Sequence, residues 1–433
     1  MIMGNSKANS ESGEKFDYYK LPGFKQRKLL ECLAKKIEKF LKTSEMKPKF
    51  STSQIMDEVG LEVLEKSIDS RAFGTVIKNL YSEGYIRLGY HLLSKLADKL
   101  HAKSGFGKLE KILVVAGSDA VRFARAAGED FINRLVEISK YKRDRYKNSK
   151  DEQILNIGLI SGRTTGSVIR AVLKLDWKKD IGINVDNLPY VRVFSLNGCL
   201  TLPAFLSGNS SILAYELNEK INSEAGKNIA QAYGLSAPLL VKNEQLEHED
   251  HAPQTFEILK FTEPYRVRSK LQNNNKKRKS YNANETKLDI VLAGVGELPI
   301  RRESKSCDKL TSEPVTSGEG SIFYNLAKEF GFDMDKIISA EHIVGDIAFT
   351  AIRSDGESAK LCKNGTEYVF YSAVQLPILE AMAADKNKSV ILVARDDENK
   401  YKVPAIYASI AERHRYASRL VLDEETARKL HRY

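Results

Sequence analysis

Hydrophobic positions in the last three quarters of the chain follow two alternating spacings. Short apolar runs of strand length are separated by stretches in which apolar residues recur every three or four positions. The runs predict strands at 112–115, 154–160, 190–196, 288–292, 389–394 and 419–422. Helices are predicted between most of them, as at 119–140 and 167–175. Apolar strands that alternate with helices favour an α/β fold with a mainly parallel sheet covered on both faces.

The first quarter of the chain has mainly helical spacing. Residues 1–20, rich in Ser, Asn, Glu and Lys, predict a disordered arm. Residues 21–91 predict three helices and a closing alternating strand, which is the layout of a winged helix. A small helical bundle with a solvated basic face is the alternative. On the winged-helix interpretation, the residues predicted to contact DNA are Ser70, Arg71, Thr75, Lys78 and Asn79.

Two segments connect or interrupt these regions. Residues 92–109 predict an amphipathic linker helix that leads into a domain at 110–433. Residues 244–286 break the strand and helix rhythm and predict a loop insertion. Its basic run at 276–279 favours a solvated loop, with contact to DNA phosphate as the alternative. The histidines at 248 and 251 are predicted to face solvent rather than to bind a metal.

A turn rich in glycine and threonine follows the second predicted strand, in the sequence ISGRTTGSVI. The first N–H groups of a helix have no intrahelical partner and carry partial positive charge, so they favour a phosphate. Glycines allow close backbone approach, threonines add hydroxyl donors, and Arg163 can add charge-assisted hydrogen bonds. Neither a Walker motif nor the Gly-x-Gly-x-x-Gly fingerprint is present. The turn predicts an anion site, although glycine also suits such turns for geometric reasons alone.

Further glycines and polar residues follow the other predicted strands, where ligands of open parallel sheets bind. They lie in VFSLNGCL, VLAGVGELP, HIVGDIAFTAIRSDG and the C-terminal stretch that begins VILVARDD. In this order, and with ISGRTTGSVI, the segments resemble the SorC family of bacterial transcriptional regulators and the related central glycolytic and deoxyribonucleoside regulators. The resemblance runs from about Leu92 to the C-terminus. VGDI…DG is a specific match, and Lys-x-x-Ala-Ile … Leu-Asp-Glu-Glu-Thr-Ala is similar to the family's closing signature.

The resemblance implies a Rossmann-like sheet related to sugar-phosphate isomerases, which binds a phosphorylated sugar and retunes an N-terminal DNA-binding domain. The effector-binding residues that it implies are Gly162, Arg163, Thr164, Thr165, Asn197, Gly296, Gly345, Asp346 and Lys402. For Lys402 a solvated helix position is the alternative, and we interpret Asp423 as the acidic start of the last helix. The chain differs from the family at two places. It has Thr350 where the family often has an arginine, and it has ARDDENKY where the family usually has a glycine pair before the lysine.

Composition narrows the functional class only slightly. With 433 residues, 42% hydrophobic and 29% charged, the chain matches an ordinary soluble protein, and it contains no apolar run of membrane-spanning length. The polar N-terminus lacks the apolar stretch of a signal peptide, which predicts a cytoplasmic protein. Four widely spaced cysteines predict reduced thiols rather than disulfides or a zinc site.

Charge adds one indication of a partner. The net charge is +11, and residues 1–110 contain 17 lysines and three arginines against 14 acidic residues, so about half of the excess lies in a quarter of the chain. This distribution suits a nucleic-acid partner for the N-terminal region, and equally a merely basic protein.

The sequence therefore predicts a DNA-binding transcriptional regulator that responds to a phosphorylated sugar. We expect no cofactor, no metal, no catalytic residue and no membrane contact; the expected partners are DNA, the sugar and further copies of the chain, as a dimer or tetramer. One alternative is a sugar-phosphate sensor that acts through a protein partner without binding DNA. The other is an enzyme similar to sugar-phosphate isomerases or lactonases, for which Asp346 and Glu297 are the candidate general bases.

Overall fold

The computed structural model describes residues 92–433 except 104, 118, 184, 186–187, 199–207, 236–239, 243–257, 259–260, 263–285, 300–321, 396–399 and 411–412. The predicted arm at 1–20, the predicted winged-helix-like domain at 21–91 and most of the predicted insertion at 244–286 lie outside the described residues. So do the residues predicted to contact DNA, which are Ser70, Arg71, Thr75, Lys78 and Asn79. Among the cysteines, Cys362 is described, and it is exposed and free.

The described residues alternate between strands and helices. The strands are β1 (Lys111–Val115), β2 (Leu155–Leu159), β3 (Val191–Ser195), β4 (Ala230–Tyr233), β5 (Leu240–Lys242), β6 (Ile290–Pro299), β7 (Ile343–Ile347), β8 (Thr350–Arg353), β9 (Leu361–Lys363), β10 (Thr366–Phe370), β11 (Ser389–Ala394), β12 (Lys400–Tyr401) and β13 (Arg419–Asp423). The helices are α1 (Ser94–His101), α2 (Ala120–Arg145), α3 (Lys150–Gln153), α4 (Arg163–Lys174), α5 (Trp177–Ile181), α6 (Ser210–Ala225), α7 (Ile322–Glu329), α8 (Met334–Glu341), α9 (Leu376–Ala384), α10 (Val403–Ile410) and α11 (Glu424–Arg432).

The main sheet has the order β1-β13-β11-β6-β2-β3-β4, and all of these neighbours are parallel. Its central strands β2 and β11 are buried along their whole length, because helices cover both faces. The predicted α/β fold with a mainly parallel sheet is therefore confirmed, and all six predicted strands are present. The short edge strand β4, with the sequence AQAY, lacks the apolar run that would have predicted it.

Two predicted helices differ from those observed. The amphipathic stretch 92–109 contains α1 over Ser94–His101 and then a 3₁₀ turn over Phe106–Lys108. Gly105 lies between them with φ of 81°, in the left-handed region, and this turn places the ring of Phe106 fully in the core. The helix predicted at 167–175 begins earlier, at Arg163, so most of the predicted anion-binding turn is the first turn of α4.

Strand order creates a crevice between β2 and β6. These two strands are neighbours in the sheet. After β2, the next strand of the parallel sheet is β3, on one side; after β6, it is β11, on the other side. Such a reversal of direction leaves a gap at the carboxyl ends of the two strands, which is where ligands bind in open α/β sheets. The predicted turn, at residues 160–166, and the sequence GVGELP lie at this edge.

A hairpin and a second sheet lie beyond the end of β6. The outer part of β6 pairs antiparallel with β7, which pairs antiparallel with β8. Ala348 and Phe349 connect β7 to β8, and both have positive φ, 54° and 61°. A three-stranded antiparallel sheet has the order β5-β10-β9. The ring of Phe370 on β10 packs 5.2 Å from that of Phe323 on α7 and 6.1 Å from that of Phe349.

A buried ion-pair cluster joins α2 to the amino ends of β1 and β13. Asp130 accepts from Arg419 Nη2 and from Lys111 Nζ, both at 2.7 Å, and the side chains of Asp130 and Arg419 are 3% and 4% exposed. Burial raises the pKa of Asp130, but the hydrogen bonds and charges of Arg419 and then Lys111 outweigh it, so the pKa lies below its ordinary value of 3.8.

This lowered pKa predicts a loss of stability in acid. The contribution of ionised Asp130 is complete above pH of about 3.8 and is lost as the pH falls through the lower pKa of the folded protein. We expect the free energy of unfolding, measured with urea between pH 2 and 6, to fall at the acid end of this range. In Asp130→Asn that part of the pH dependence should be smaller. An unchanged acid profile in this variant would contradict the assignment.

Candidate functional site

A cavity of about 220 Å³ opens at the carboxyl ends of β2 and β6. Its walls come from the β2–α4 turn, the end of β6, the β7–β8 hairpin, α7 and the residues that follow β11 and β12. The described lining residues are Ala120, Phe123, Ser161, Gly162, Arg163, Thr164, Ser167, Gly294, Val295, Gly296, Glu297, Ile322, Phe323, Asp346, Ala348, Phe349, Arg395 and Lys402. Six of the predicted effector-binding residues are among them: Gly162, Arg163, Thr164, Gly296, Asp346 and Lys402.

The start of α4 is the part of the cavity that suits an anion. Gly162 occupies the N-cap position, and no side chain caps the helix. The first N–H groups of a helix have no intrahelical acceptor, the N-cap glycine offers no side chain to cap them, and the helix dipole favours negative charge beside them. The turn itself is fixed, because Gly162 N donates to Gly208 O at 2.9 Å. A Cβ on Gly208 would lie 2.9 Å from Gly162 C and O, so this close approach requires a glycine.

A buried polar network lies behind the turn. Asn197 is fully buried; its Oδ1 accepts from Ser161 N at 2.8 Å, and its Nδ2 donates to Ala348 O at 3.3 Å. Ser161 and Ser195 both contact the Ser210 hydroxyl, with oxygen–oxygen distances of 2.9 and 2.7 Å. Asn197 thus joins the β2–α4 turn to the β7–β8 hairpin. Its amide is used within the protein, so it shapes the cavity from behind rather than lining it.

Thr165, the third helical residue of α4, is fully buried. Its Oγ1 makes no hydrogen bond with any of the residues that the structure describes. A Cβ on Gly162 or on Gly294, which both line the cavity, would lie 3.5 Å from this oxygen. A buried hydroxyl without a hydrogen-bond partner lowers the stability of the protein. Such a hydroxyl is expected at a position where a bound ligand supplies the missing partner.

Thr165→Val is therefore expected to stabilise the ligand-free protein by about 1 kcal/mol, because it removes an unsatisfied hydroxyl at nearly constant shape. The same change should weaken the binding of a phosphorylated sugar by about tenfold, the value of one lost hydrogen bond to a charged group. Urea unfolding and calorimetric titration measure the two effects. Thr286→Val is the matched control: this buried hydroxyl accepts from Leu288 N at 3.2 Å, so its removal should destabilise. Destabilisation by Thr165→Val would contradict the assignment.

The β6–β7 pairing brings glycine and carboxylate together. Gly296 pairs with Asp346, and a Cβ on Gly296 would lie 1.8 Å from Asp346 Oδ1, so the carboxylate lies directly over the glycine. A Cβ on Gly345 would lie 2.4 Å from Gly296 O and 2.5 Å from Ala405 Cβ. Gly345 therefore allows close packing of β7 against β6 and α10. Its contribution to the site is to place Asp346 at the cavity, and it does not itself line the described cavity.

Charged side chains of both signs face the cavity. Lys402, immediately before α10, is 5% exposed, and its Nζ lies 3.4 Å from Glu297 Oε2. The solvated alternative for Lys402 is therefore wrong. Glu297 Oε1 lies 3.5 Å from Nη2 of Arg163, whose side chain is 44% exposed. Arg395, after β11, adds a third basic residue to the described lining. Basic groups next to a helix N-terminus can bind a phosphate through charge-assisted hydrogen bonds.

Part of the cavity wall is apolar. Phe123 on α2, Ile322 and Phe323 on α7, and Phe349 in the hairpin line it, and all four are buried. A cavity that is lined by both charged and apolar side chains suits a small organic anion, since the polar groups fix its orientation and the apolar side chains exclude water.

Several lining residues were not predicted as effector-binding. Arg395 directly follows a buried strand, and the rule that ligands collect at carboxyl ends of strands would have selected it. Glu297 follows Gly296 at the end of β6, but was considered only as a general base. The aromatic residues carried no signal, because their spacing also suits a core. One other interpretation is confirmed by a contact: Asp423 Oδ1 caps α11 by accepting from Thr426 N at 3.1 Å.

The described residues contain neither a cluster of metal ligands nor a helix that could span a membrane. They contain no group of three or more histidine, cysteine, aspartate or glutamate side chains arranged to hold a metal ion. None of their helices combines the length and the apolar character that a membrane crossing requires.

No family model matches the chain, and no curated protein matches it. Solved structures do. The full-length sorbitol operon regulator SorC from Klebsiella pneumoniae is 17% identical, with 92% of this chain and 98% of that chain covered and a TM-score of 0.44. A transcriptional regulator from Streptococcus pneumoniae TIGR4 is 16% identical over 78% of this chain and 95% of that chain, with a TM-score of 0.46. The 6-phosphogluconolactonase from Trypanosoma brucei is 14% identical over 74% and 98%, with a TM-score of 0.32. Regulators of the SorC and DeoR families are thus among the structures that this chain resembles.

Proposed function

We propose that this chain is a cytoplasmic transcriptional regulator whose sheet domain binds a phosphorylated sugar and whose N-terminal region binds DNA. The observation that supports it most is the uncapped start of α4 at the switch point of the sheet, with Arg163 and Lys402 lining the same cavity. Helix N–H groups, partial positive charge and basic side chains together form a site for a small phosphate.

The phosphate is assigned to the start of α4, at Gly162, Arg163 and Thr164, with Thr165 beneath them. The rest of the ligand then extends toward Gly296, Asp346 and Lys402, along the apolar wall. Asn197 and Gly345 support this arrangement indirectly, because one holds the turn and the other allows the hairpin to approach β6.

Regulation requires only that the sugar bind one conformation more tightly than another. The ligand would contact the β2–α4 turn and the β7–β8 hairpin at the same time, so binding would fix the hairpin relative to the sheet. In a dimer or tetramer, such a change can alter the spacing of two DNA-binding regions and hence their fit to operator half-sites.

The DNA half of the proposal depends on sequence. The excess of basic residues in residues 1–110, together with the winged-helix pattern at 21–91, supports contact with DNA phosphates and base edges. The test is a titration of labelled upstream DNA with the full chain, with and without candidate sugar phosphates. We expect salt-dependent binding whose affinity changes when the correct sugar phosphate is added. DNA binding that no sugar phosphate alters would contradict the regulatory proposal, and absence of DNA binding would favour a sensor that acts through a protein partner.

An enzyme acting on sugar phosphates is the second candidate, because two buried carboxylates, Glu297 and Asp346, line the cavity and either could serve as a general base. Incubating the chain with sugar monophosphates and following the products separates the two functions. Turnover that is lost in both Glu297→Gln and Asp346→Asn would favour the enzyme. Binding without turnover would favour the regulator.

A further inference from the structure

Glu297 is a carboxylate in the wall of a cavity that is otherwise suited to an anion. Its side chain is 4% exposed, and its two oxygens lie 3.5 Å from Arg163 Nη2 and 3.4 Å from Lys402 Nζ. Both distances exceed the 2.7–3.2 Å of a normal hydrogen bond. Oε1 accepts no hydrogen bond from the described part of the chain. The carboxylate therefore balances two positive charges without being saturated by their donors.

Two other buried carboxylates in the same domain are bound more closely. Asp289 accepts from Lys142 Nζ at 2.7 Å, and Asp130 accepts from Arg419 Nη2 at 2.7 Å. Those pairs lie at the amino ends of the strands, away from the cavity, and they connect α2 to the sheet. Glu297, like Asp346, lines an open cavity, so its carboxylate can accept a hydrogen bond from a ligand that enters the cavity.

A buried carboxylate has two opposite effects on an anionic ligand. Its negative charge repels a phosphate bound nearby. Its unsatisfied oxygen gains a hydrogen bond if the ligand brings a donor, and leaving that oxygen unsatisfied costs free energy. A phosphate ester with hydroxyl groups next to the phosphate offsets the repulsion by donating to Glu297, whereas a plain alkyl phosphate in its dianionic form has no hydroxyl group to donate.

We propose that Glu297 is a specificity-determining residue, which selects phosphate esters of polyhydroxy compounds over phosphates without neighbouring hydroxyl groups. The inference rests on the proposed function, because it assumes that a phosphate binds at the start of α4. It adds the reason why such a site would discriminate between phosphate esters with and without neighbouring hydroxyl groups.

The test compares two ligands that differ only in hydroxyl groups, glycerol 3-phosphate and propyl phosphate, with inorganic phosphate as a third probe. Each is titrated calorimetrically into the full chain, into Glu297→Gln and into Glu152→Gln. Glu152 is an exposed residue of α3, before β2, so the control removes the same charge at the opposite end of the sheet. Circular dichroism establishes that each variant is folded.

In the unmodified chain we expect glycerol 3-phosphate to bind at least tenfold more tightly than propyl phosphate. In Glu297→Gln, propyl phosphate should gain about tenfold or more in affinity, and the ratio between the two esters should fall toward one; inorganic phosphate, which carries its own P–OH donor, should gain less than propyl phosphate. Glu152→Gln should match the unmodified chain.

Equal affinities for the two esters in the unmodified chain would overturn the inference without any variant, and this comparison decides if Glu297→Gln does not fold. An unchanged ratio in a folded Glu297→Gln would also overturn it, while leaving phosphate binding, and thus the proposed function, intact. If no phosphate ester, including a panel of pentose and hexose phosphates, binds the unmodified chain, the proposed function fails and the inference fails with it.

Discussion

Thr164→Glu is expected to reduce the affinity for a phosphorylated sugar by more than 100-fold while leaving the protein folded. Thr164 is the second residue of α4, is half-buried and lines the cavity. A glutamate at the first turn is favourable for the helix, by about 0.3–1 kcal/mol. The same carboxylate would occupy the anion site and repel a phosphate a few ångströms away, at about 4 kcal/mol for each pair of unit charges at 4 Å and an effective dielectric constant of 20.

Thr164→Gln is the matched control, since it adds the same bulk without the charge. Calorimetric titration should show strong loss in the glutamate variant and a much smaller loss in the glutamine variant, and thermal unfolding should show no loss of stability in the glutamate variant. Equal binding losses in the two variants would mean that size rather than charge is responsible. Unchanged binding in both would place the phosphate elsewhere.

Arg419→Met is expected to reduce the free energy of unfolding by about 3–5 kcal/mol, the cost of breaking a buried ion pair from one side. The change leaves Asp130 buried, with Lys111 as its remaining partner in the described cluster, and Glu110 loses the donor that now lies 2.9 Å from its Oε1. Methionine fills much of the arginine volume, so the loss reports the charge rather than a cavity. Urea unfolding at neutral pH measures it.

Arg428→Met provides the comparison. Arg428 pairs with Glu424 at 2.7 Å one turn away on α11, but its side chain is 56% exposed, and such helix pairs contribute only about 0.3–0.5 kcal/mol. A similar loss in both variants would show that the cluster around Asp130 is no more important than a surface pair. Arg419 lies at the amino end of β13, and neither Arg419 nor Arg428 is among the described residues that line the cavity, so sugar-phosphate binding by the folded fraction should not change.

The parallel sheet could be predicted because its strands are apolar on both faces. Runs such as ILVV at 112–115 and SVILVA at 389–394 are too continuous for a half-exposed strand, and each was followed by helical spacing. The prediction of an anion site at the β2–α4 turn followed from the same reasoning, since the glycine and threonine turn directly follows a buried strand.

The rest of the site depends on contacts between distant segments. The β7–β8 hairpin turns at Ala348 and Phe349 with positive φ, a conformation that their residue types do not signal. The burial of Lys402 depends on Glu297, about a hundred positions earlier, which provides its counter-charge in the interior. Asn197 carried a polar signal at a strand end, but only the structure shows that its amide is used to hold the turn and the hairpin together.

One titration tests most directly whether this cavity recognises a phosphorylated sugar. The full chain is titrated calorimetrically with pentose and hexose monophosphates, with the same sugars lacking the phosphate, and the best ligand is repeated with Thr164→Glu. We expect at least one sugar phosphate to bind, its unphosphorylated counterpart to bind at least 100-fold more weakly, and Thr164→Glu to abolish the binding. Equal affinity for a sugar with and without its phosphate, or full affinity in folded Thr164→Glu, would contradict a phosphate site at the start of α4.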